Sequence, residues 1–314
     1  MNNILFVNHQ KSHCGVYEIG KRIFNLIDQK IIPLIYLETD NSQKILNAIE
    51  EYSPIAIIYN YFFATMPFVN ESFTKKILSG KNIKHIAIHH DPMGQKDIIN
   101  LEKVFDYWII HDDTNTIPSP TKFLTVRPIL RYERKGEPNL EKISIGTHGL
   151  IASHWKMYDT IVEYINNAFD EVTINMNLGV ATFGKNLNEV VKVANMCRAK
   201  VRKPGIKLNI IHDYFPTEIE LVDWLAKNTM NIYFYNANPG AGVGGSADLA
   251  ISAQSSLAIN DTYMFRHISN HLGICSQNTL KNFLGNYNEV RRLYQEWSPE
   301  RITNDYKKML ESVL

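Results

Sequence analysis

Three short stretches carry side chains whose types and spacing could do chemistry. The first is GAGVGG, residues 240–245, a match to G-x-G-x-x-G. It follows the apolar run NIYFY (231–235) and opens the helical stretch SADLAISAQ. The run SLAIND then ends in Asp261, about 20 residues on, where a dinucleotide fingerprint has an acid. The second stretch is HIAIHHD, ending in His89, His90 and Asp91, and the third is YWIIHDD, ending in His111, Asp112 and Asp113. Imidazole and carboxylate at a strand end can take a proton from a hydroxyl or hold a divalent metal.

The glycine loop admits more than one reading. A dinucleotide site needs glycine directly at the strand end and most of a nucleotide-binding sheet after it. Here Asn236, Ala237, Asn238 and Pro239 intervene, and one clear strand follows. More generally, glycines let a backbone approach a ligand, and a helix N-terminus offers N–H groups to an anion. Ser246, at about the N-cap, adds a hydroxyl. The loop therefore reads as a pyrophosphate cradle, with NAD binding and an ordinary capped turn as alternatives.

These residues need a scaffold. Short β-branched runs alternate with longer amphipathic stretches. ILFVN (4–8) reads as a buried strand, and VYEIGKRIFNLI (16–27) carries a helical stripe at 16, 19, 23, 26 and 27. The pattern βαβαβαβαββ runs to about residue 129, which argues for a parallel sheet with helices on both faces. Polar RYERKGEPNLEK (131–142) reads as a linker, after which the alternation restarts. The expectation is an α/β protein of two Rossmann-like, doubly wound domains facing across a cleft, residues 1–135 and 143–314, the second ending in helices. Right-handed crossovers put all strand C-terminal ends on one edge of each sheet.

Bulk properties narrow the partners. The 314 residues include 33 Lys+Arg and 32 Asp+Glu, a net charge of +1, which gives no support to nucleic-acid binding by bulk electrostatics. Hydrophobic content of 45% suffices for real cores. Three scattered cysteines (Cys14, Cys197, Cys275) make neither a disulfide framework nor a cysteine zinc site, so a reduced, cytoplasmic setting is expected. No apolar run is long enough to span a membrane, and the N-terminus lacks the cationic start and long apolar core of a signal peptide. Peripheral membrane contact stays open. Oligomeric state is not legible.

Over nearly its whole length the chain resembles the GT-B glycosyltransferases, especially the retaining type of glycosyltransferase family 4. ILFVNHQKSHCGVYEIGKRIF looks like the family's opening strand, glycine loop and helix, with Gly15 the matching glycine. IAIHHDP resembles its fourth strand, where a His-Asp pair matches His90 and Asp91. ISIGTHGLIASHWKMYDTIVEYI looks like the start of its nucleotide domain, with Lys156 at the phosphate-binding lysine and Met157 where glycine is usual. NIYFYNANPGAGVGGSADLAISAQSSLAINDTYMFRHI resembles its donor-binding segment. The final helix of such enzymes commonly crosses back to the first domain. The family's Glu-x7-Glu pair falls here on Ala241 and Leu249, with Asp248 one residue away, and its usual post-helix glycine is Gln254.

The resemblance implies transfer of a sugar from a nucleotide-sugar donor to a glycan, lipid-linked or protein acceptor, without a metal or bound cofactor. Lys156 and the Gly244–Gly245–Ser246 amides would neutralise the leaving diphosphate. Asp248, His148, His212 and Tyr235 are further donor-side candidates. His90 and Asp91 are the catalytic candidates, orienting a substrate in a retaining reaction or deprotonating the acceptor in an inverting one. The absent carboxylates keep a second class open, a noncatalytic nucleotide-sugar or glycan-binding protein with the same shell. A third, a metal-dependent hydrolase, would use the HHD and HDD strand ends. Asp112 with Thr114 also reads as a turn cap.

Overall fold

An apolar run without polar alternation has to be covered on both faces, and ILFVN is such a run: Ile4, Leu5, Phe6 and Val7 are fully buried. The computed structural model describes residues 3–10, 14–90, 95–151, 155–180, 187–236 and 242–314. They divide between two compact units, one of Met1–Pro128, Gly240–Val243 and Trp297–Leu314, the other of Ile129–Pro239 and Gly244–Glu296.

In the first unit the order is β1 (Ile4–Asn8), α1 (Gly15–Leu26), β2 (Leu34–Glu38), α2 (Ser42–Tyr52), β3 (Ala56–Tyr61), a π-helical turn (Ser72–Ile77), β4 (Lys84–His89), α3 (Gln95–Val104), β5 (Tyr107–Ile110) and β6 (Lys122–Leu124). All pairings are parallel, in the order β2-β1-β3-β4-β5-β6. The π-turn stands where the periodicity of FVNESFTKKIL predicts a longer helix. α1 buries Ile23 and Leu26 on one stripe, and also Arg22, whose Nη1 donates to Pro128 O at 3.0 Å. Asn41 caps α2 by accepting from Lys44 N.

The second unit runs β7 (Ser144–Ile151), α4 (Tyr158–Ala168), β8 (Glu171–Val180), α5 (Leu187–Lys200), β9 (Gly205–Ile211), α6 (Glu218–Ala226), β10 (Met230–Tyr233), α7 (Ser246–Ala253), β11 (Ser256–Ile259), α8 (Arg266–Leu272) and α9 (Tyr287–Glu296). Its sheet, again parallel, has the order β11-β10-β7-β8-β9. Residues 131–134, expected to be linker, are anchored here. Arg131 lies over the Tyr294 ring, and Arg134 Nη1 donates to Ala253 O and Ser255 Oγ at the end of α7.

The last helix, α10 (Pro299–Val313), follows the second half in the chain but packs within the first unit. Ser298 caps it and Pro299 opens it, where its missing N–H costs nothing. Its buried face includes Ile302, Tyr306 and Leu310. Tyr306 OH lies 2.9 Å from His111 Nε2, Thr125 Oγ1 donates to Asp305 Oδ2 at 3.0 Å, and Asp28 N donates to Thr303 Oγ1 at 3.1 Å.

A polar row crosses the second sheet. Asn209, Asn175, Gly146 and Asn231 stand in register on neighbouring strands. Asn209 Nδ2 donates to Asn175 Oδ1 at 3.0 Å, and Asn175 Nδ2 donates to Asn228 Oδ1 at 2.8 Å. Asn228 reaches the row because residue 146 has no side chain: a Cβ there would lie 2.3 Å from Asn228 Nδ2 and 2.5 Å from Asn231 Oδ1. A buried amide forced off its partners leaves polar groups unsatisfied. Gly146→Ala is therefore expected to lower stability by about 1–3 kcal/mol, read as a lower denaturation midpoint. A midpoint equal to wild type would show that the asparagines move aside freely.

Candidate functional site

In a parallel sheet covered on both faces, polar side chains reach a ligand at the carboxyl ends of the strands. Each unit gathers a polar cluster there. In the second unit the cluster forms around Lys156. The segment 155–157 pairs with the end of β10: Met157 N donates to Phe234 O at 2.9 Å, Asn236 N to Trp155 O at 2.7 Å, and Lys156 bridges Tyr235. Lys156 Nζ then sits 3.5 Å from Ser246 Oγ and 5.6 Å from the centre of the Tyr235 ring. Tyr235 OH donates to the same Ser246 Oγ at 2.9 Å. Asn260 holds the Tyr235 backbone on both sides, accepting from its N–H at 2.9 Å and donating to its carbonyl at 2.8 Å.

Two glycines make room for this cluster. A Cβ on Gly149 would lie 2.0 Å from Lys156 Nζ, and its φ of +148° is one that side chains disfavour. Gly244 lies between two rings, where a Cβ would come within 2.9 Å of Phe265 and 3.1 Å of Tyr235. Its N–H donates to Met264 O at 2.9 Å.

The electrostatics centre on Lys156. Lys156 has no carboxylate within ion-pairing distance among the described residues, and burial lowers its pKa to about 8. His148 adds no charge. Burial, and secondarily the Lys156 ammonium, lowers its pKa to about 3, and its Nδ1 lies 2.7 Å from Tyr233 OH. Burial also raises the Tyr235 pKa, and the nearby Asp248 charge raises it further. The cluster thus presents one ammonium, hydroxyls and the first turn of α7, a donor set suited to an anion.

In the first unit His90 Nε2 lies 2.6 Å from Asn60 Oδ1. Asn60 Nδ2 donates to Asn8 Oδ1 at 2.8 Å and to Val16 O at 2.7 Å. Asn8 Nδ2 donates to Tyr17 O and to Tyr36 OH, both at 3.0 Å, and the Tyr36 and Tyr17 hydroxyls both donate to Glu38 Oε1. The line runs along the carboxyl ends of four adjacent strands, from β4 through β3 and β1 to β2. His90 is held neutral: burial pushes its pKa well down, and His111, Arg127, His89 and His9 add to the effect.

Several sequence expectations change. Ser246 is the first helical residue rather than the N-cap. Gly245 is the N-cap, without a side-chain capping bond, so the Ser246 hydroxyl is turned to Lys156 and Tyr235 instead. Asp248 does not reach solvent; it is fully buried, with His267 Nε2 3.7 Å from its Oδ1. Leu249 is buried against Val222 and Leu225 of α6, and Gln254 takes the left-handed conformation at φ 54° that glycine would take freely. Gln254 gains a bond in exchange, Nε2 donating to Tyr132 O at 2.9 Å. His148 is buried rather than open. His212 is exposed beyond β9, the edge strand, with Nδ1 3.2 Å from Leu178 O, two strands from Lys156. Gly15 opens α1, and a Cβ there would meet nothing within 4 Å. Asp91, Gly240 and Ala241 lie outside the described residues.

At the HDD strand end, His111 and Asp112 are engaged in bonds within the first unit. His111 uses both ring nitrogens, Nδ1 at 2.9 Å from Val126 O and Nε2 at 2.9 Å from Tyr306 OH. Asp112 Oδ1 accepts from Thr114 N and Thr114 Oγ1, the capped turn. Among the described residues no group of three His, Cys, Asp or Glu side chains has metal-binding geometry. Sequence reasoning missed Asn8, Asn60, Gly149, Asn260 and Phe265. The signal for the first two was an asparagine near the end of an otherwise apolar strand, ILFVN and AIIYNY.

No protein-family model matches the chain, and no curated protein sequence matches it. Solved structures do. HepE of Anabaena, determined with UDP-glucose, superposes with a TM-score of 0.68 at 11% identity, over 99% of this chain and 100% of that one. A glycosyltransferase of Rickettsia africae gives 0.65 at 10% identity, over 99% of each chain. MurG of Acinetobacter baumannii gives 0.54 at 8% identity, over 100% of each. At these identities the likeness is one of fold, and with the 6- and 5-stranded parallel sheets it establishes a two-domain α/β fold of the GT-B glycosyltransferase type.

Proposed function

We propose that the protein transfers a sugar from a nucleotide-sugar donor to a glycan, lipid-linked or protein acceptor, with Lys156 in place of a metal at the leaving diphosphate. The observation that carries this reading is the half-buried Lys156 ammonium, set on Ser246 Oγ at the start of α7 with no carboxylate beside it among the described residues. Such a cation is costly in the free protein and is satisfied by an anion. As the sugar–phosphate bond breaks, charge builds on the diphosphate, and fixed donors stabilise that charge more than the ground state. Glycosyltransferases of this fold, and the UDP-glucose in the HepE structure, agree with this donor chemistry.

In the first unit a neutral His90 serves the acceptor. In an inverting reaction it takes the hydroxyl proton, with Asp91 as the neighbouring carboxylate; in a retaining reaction it orients the hydroxyl. Three free cysteines suit a reducing compartment, the cytoplasm. No helix among the described residues is long and apolar enough to cross a membrane.

A second reading has its own observation. Leu249 is packed into the α6–α7 core and Asp248 is interior, so this segment of α7 offers no open carboxylate to sugar hydroxyls. That favours a protein that binds nucleotide sugars without turning them over.

Four measurements follow. Thermal shift with UDP, GDP, ADP, CMP and NAD should show stabilisation by a nucleoside diphosphate, on the order of 2.7 kcal/mol at about 100 times Kd. Stabilisation by NAD alone, or by none, would overturn both readings. Release of nucleoside diphosphate from a panel of nucleotide sugars then separates the two, since binding without release leaves only the second.

Lys156→Ala should weaken diphosphate binding by about 10- to 100-fold while leaving the unliganded protein as stable or more so. A loss of unliganded stability would make Lys156 a structural residue.

The pH dependence has a definite sign. The pKa is lowered from 10.5 to about 8, so the ammonium prevails below pH 8 and is lost above it. Affinity by titration calorimetry should be near its plateau at about pH 7, fall about twofold by pH 8 and then fall toward tenfold per unit. Level affinity up to about pH 10 would falsify a role for the Lys156 charge.

A further inference from the structure

We propose that Asn60 is a positioning residue that holds His90 as the tautomer protonated on Nε2, leaving the Nδ1 lone pair for an acceptor hydroxyl. The orientation of the Asn60 amide is forced by a carbonyl. Its one end lies 2.7 Å from Val16 O, which can only accept, so that end is the NH2 group. The same NH2 donates to Asn8 Oδ1 at 2.8 Å. Asn8 is oriented by the same logic, since its own NH2 lies 3.0 Å from Tyr17 O. The oxygen of Asn60 therefore faces His90 Nε2 at 2.6 Å. Two acceptors do not sit at that distance, so Nε2 carries the proton.

The lock depends on α1 lying against the strand ends. Val16 and Tyr17 belong to its first turn, and the helix comes close because residue 20 is glycine: a Cβ there would lie 2.2 Å from Asn60 Nδ2. The surroundings keep the ring in one charge state. Burial foremost, and then His111, Arg127, His89 and His9, disfavour an imidazolium at His90. A neutral imidazole has one donor and one acceptor nitrogen, and the donor is committed to Asn60. His90 can thus accept a hydrogen bond or a proton at Nδ1 but cannot donate one there. Any substrate group it serves must be a donor, which fits a hydroxyl and not a phosphate oxygen.

The tautomer is independent of the proposed function; only the assignment of Nδ1 to an acceptor hydroxyl rests on that reading. The test is a long-range 1H–15N correlation spectrum of the full chain with 15N-labelled histidine, His90 being assigned by its loss in His90→Gln. A protonated Nε2 and a bare Nδ1 are expected between about pH 6 and 8. A protonated Nδ1, or an imidazolium in that range, would overturn the proposal. Asn60→Ala should release the ring into a mixture of tautomers, and Gly20→Ala, which displaces the amide without removing it, should do the same. A wild-type pattern in both variants would show that Asn60 sets nothing. If nucleotide-sugar turnover is found, Asn60→Ala should lower kcat about tenfold or more while leaving the donor KM within about twofold. If turnover is absent, the spectrum still decides the tautomer and only the hydroxyl assignment fails.

Discussion

The inner strands of each parallel sheet are covered on both faces, and that constraint shapes the rest of the molecule. Strands such as ILFVN and AIIYNY have almost no polar residues to spare along their length. Their chemistry is displaced to the carboxyl ends, where the chain leaves the sheet and side chains can meet one another or a ligand. Asn8, Asn60 and His90 lie at or beside the carboxyl ends of three neighbouring strands, and the backbone around Lys156 is stitched to the end of a fourth, β10. Where polar groups occur deeper, as in the asparagine row of the second sheet, they come as a bonded set with a glycine to admit them.

The two clusters differ in charge for physical reasons. In the first unit, burial first and then the neighbouring imidazoles and a buried guanidinium suppress the protonation of His90, so it acts as a neutral hydrogen-bonding group. In the second unit, burial lowers the lysine pKa but not below neutrality, so Lys156 stays cationic at pH 7. The neighbouring His148 is kept neutral, so the cluster has a single, localised positive charge.

The α7 segment shows what spacing alone misjudges. Ser246 looked like a cap because a serine before an apolar helical run often is one. The helix starts one residue earlier than that reading requires, and the hydroxyl is drawn to Lys156 and Tyr235 instead. Asp248 looked like a ligand because it is the nearest carboxylate to a position the resembling family uses. A helix advances 100° per residue, so one position along the chain moves a side chain to another face. Asp248 falls on the inner face against His267, and Leu249 on the face that meets α6.

The sequence by itself determined the alternation of strands and helices, the two-fold repetition of that pattern, and the candidate residues at strand ends. Those follow from periodicity and from local propensity, which act over a few residues. Lys156, Ser246, Tyr235 and His90 were legible in that way, because each stands beside a strand end or a glycine. Tertiary structure alone decided which of them meet. The Asn60 lock on His90 spans 30 residues and needs α1 to lie close at Gly20. The Lys156–Ser246 contact spans 90 residues. The docking of α10 in the first unit, through Tyr306 and His111, spans 195. An amphipathic helix states that it has a face to bury, not which surface will cover it. A polar side chain states what it can bond, not what the fold will bring within 3 Å.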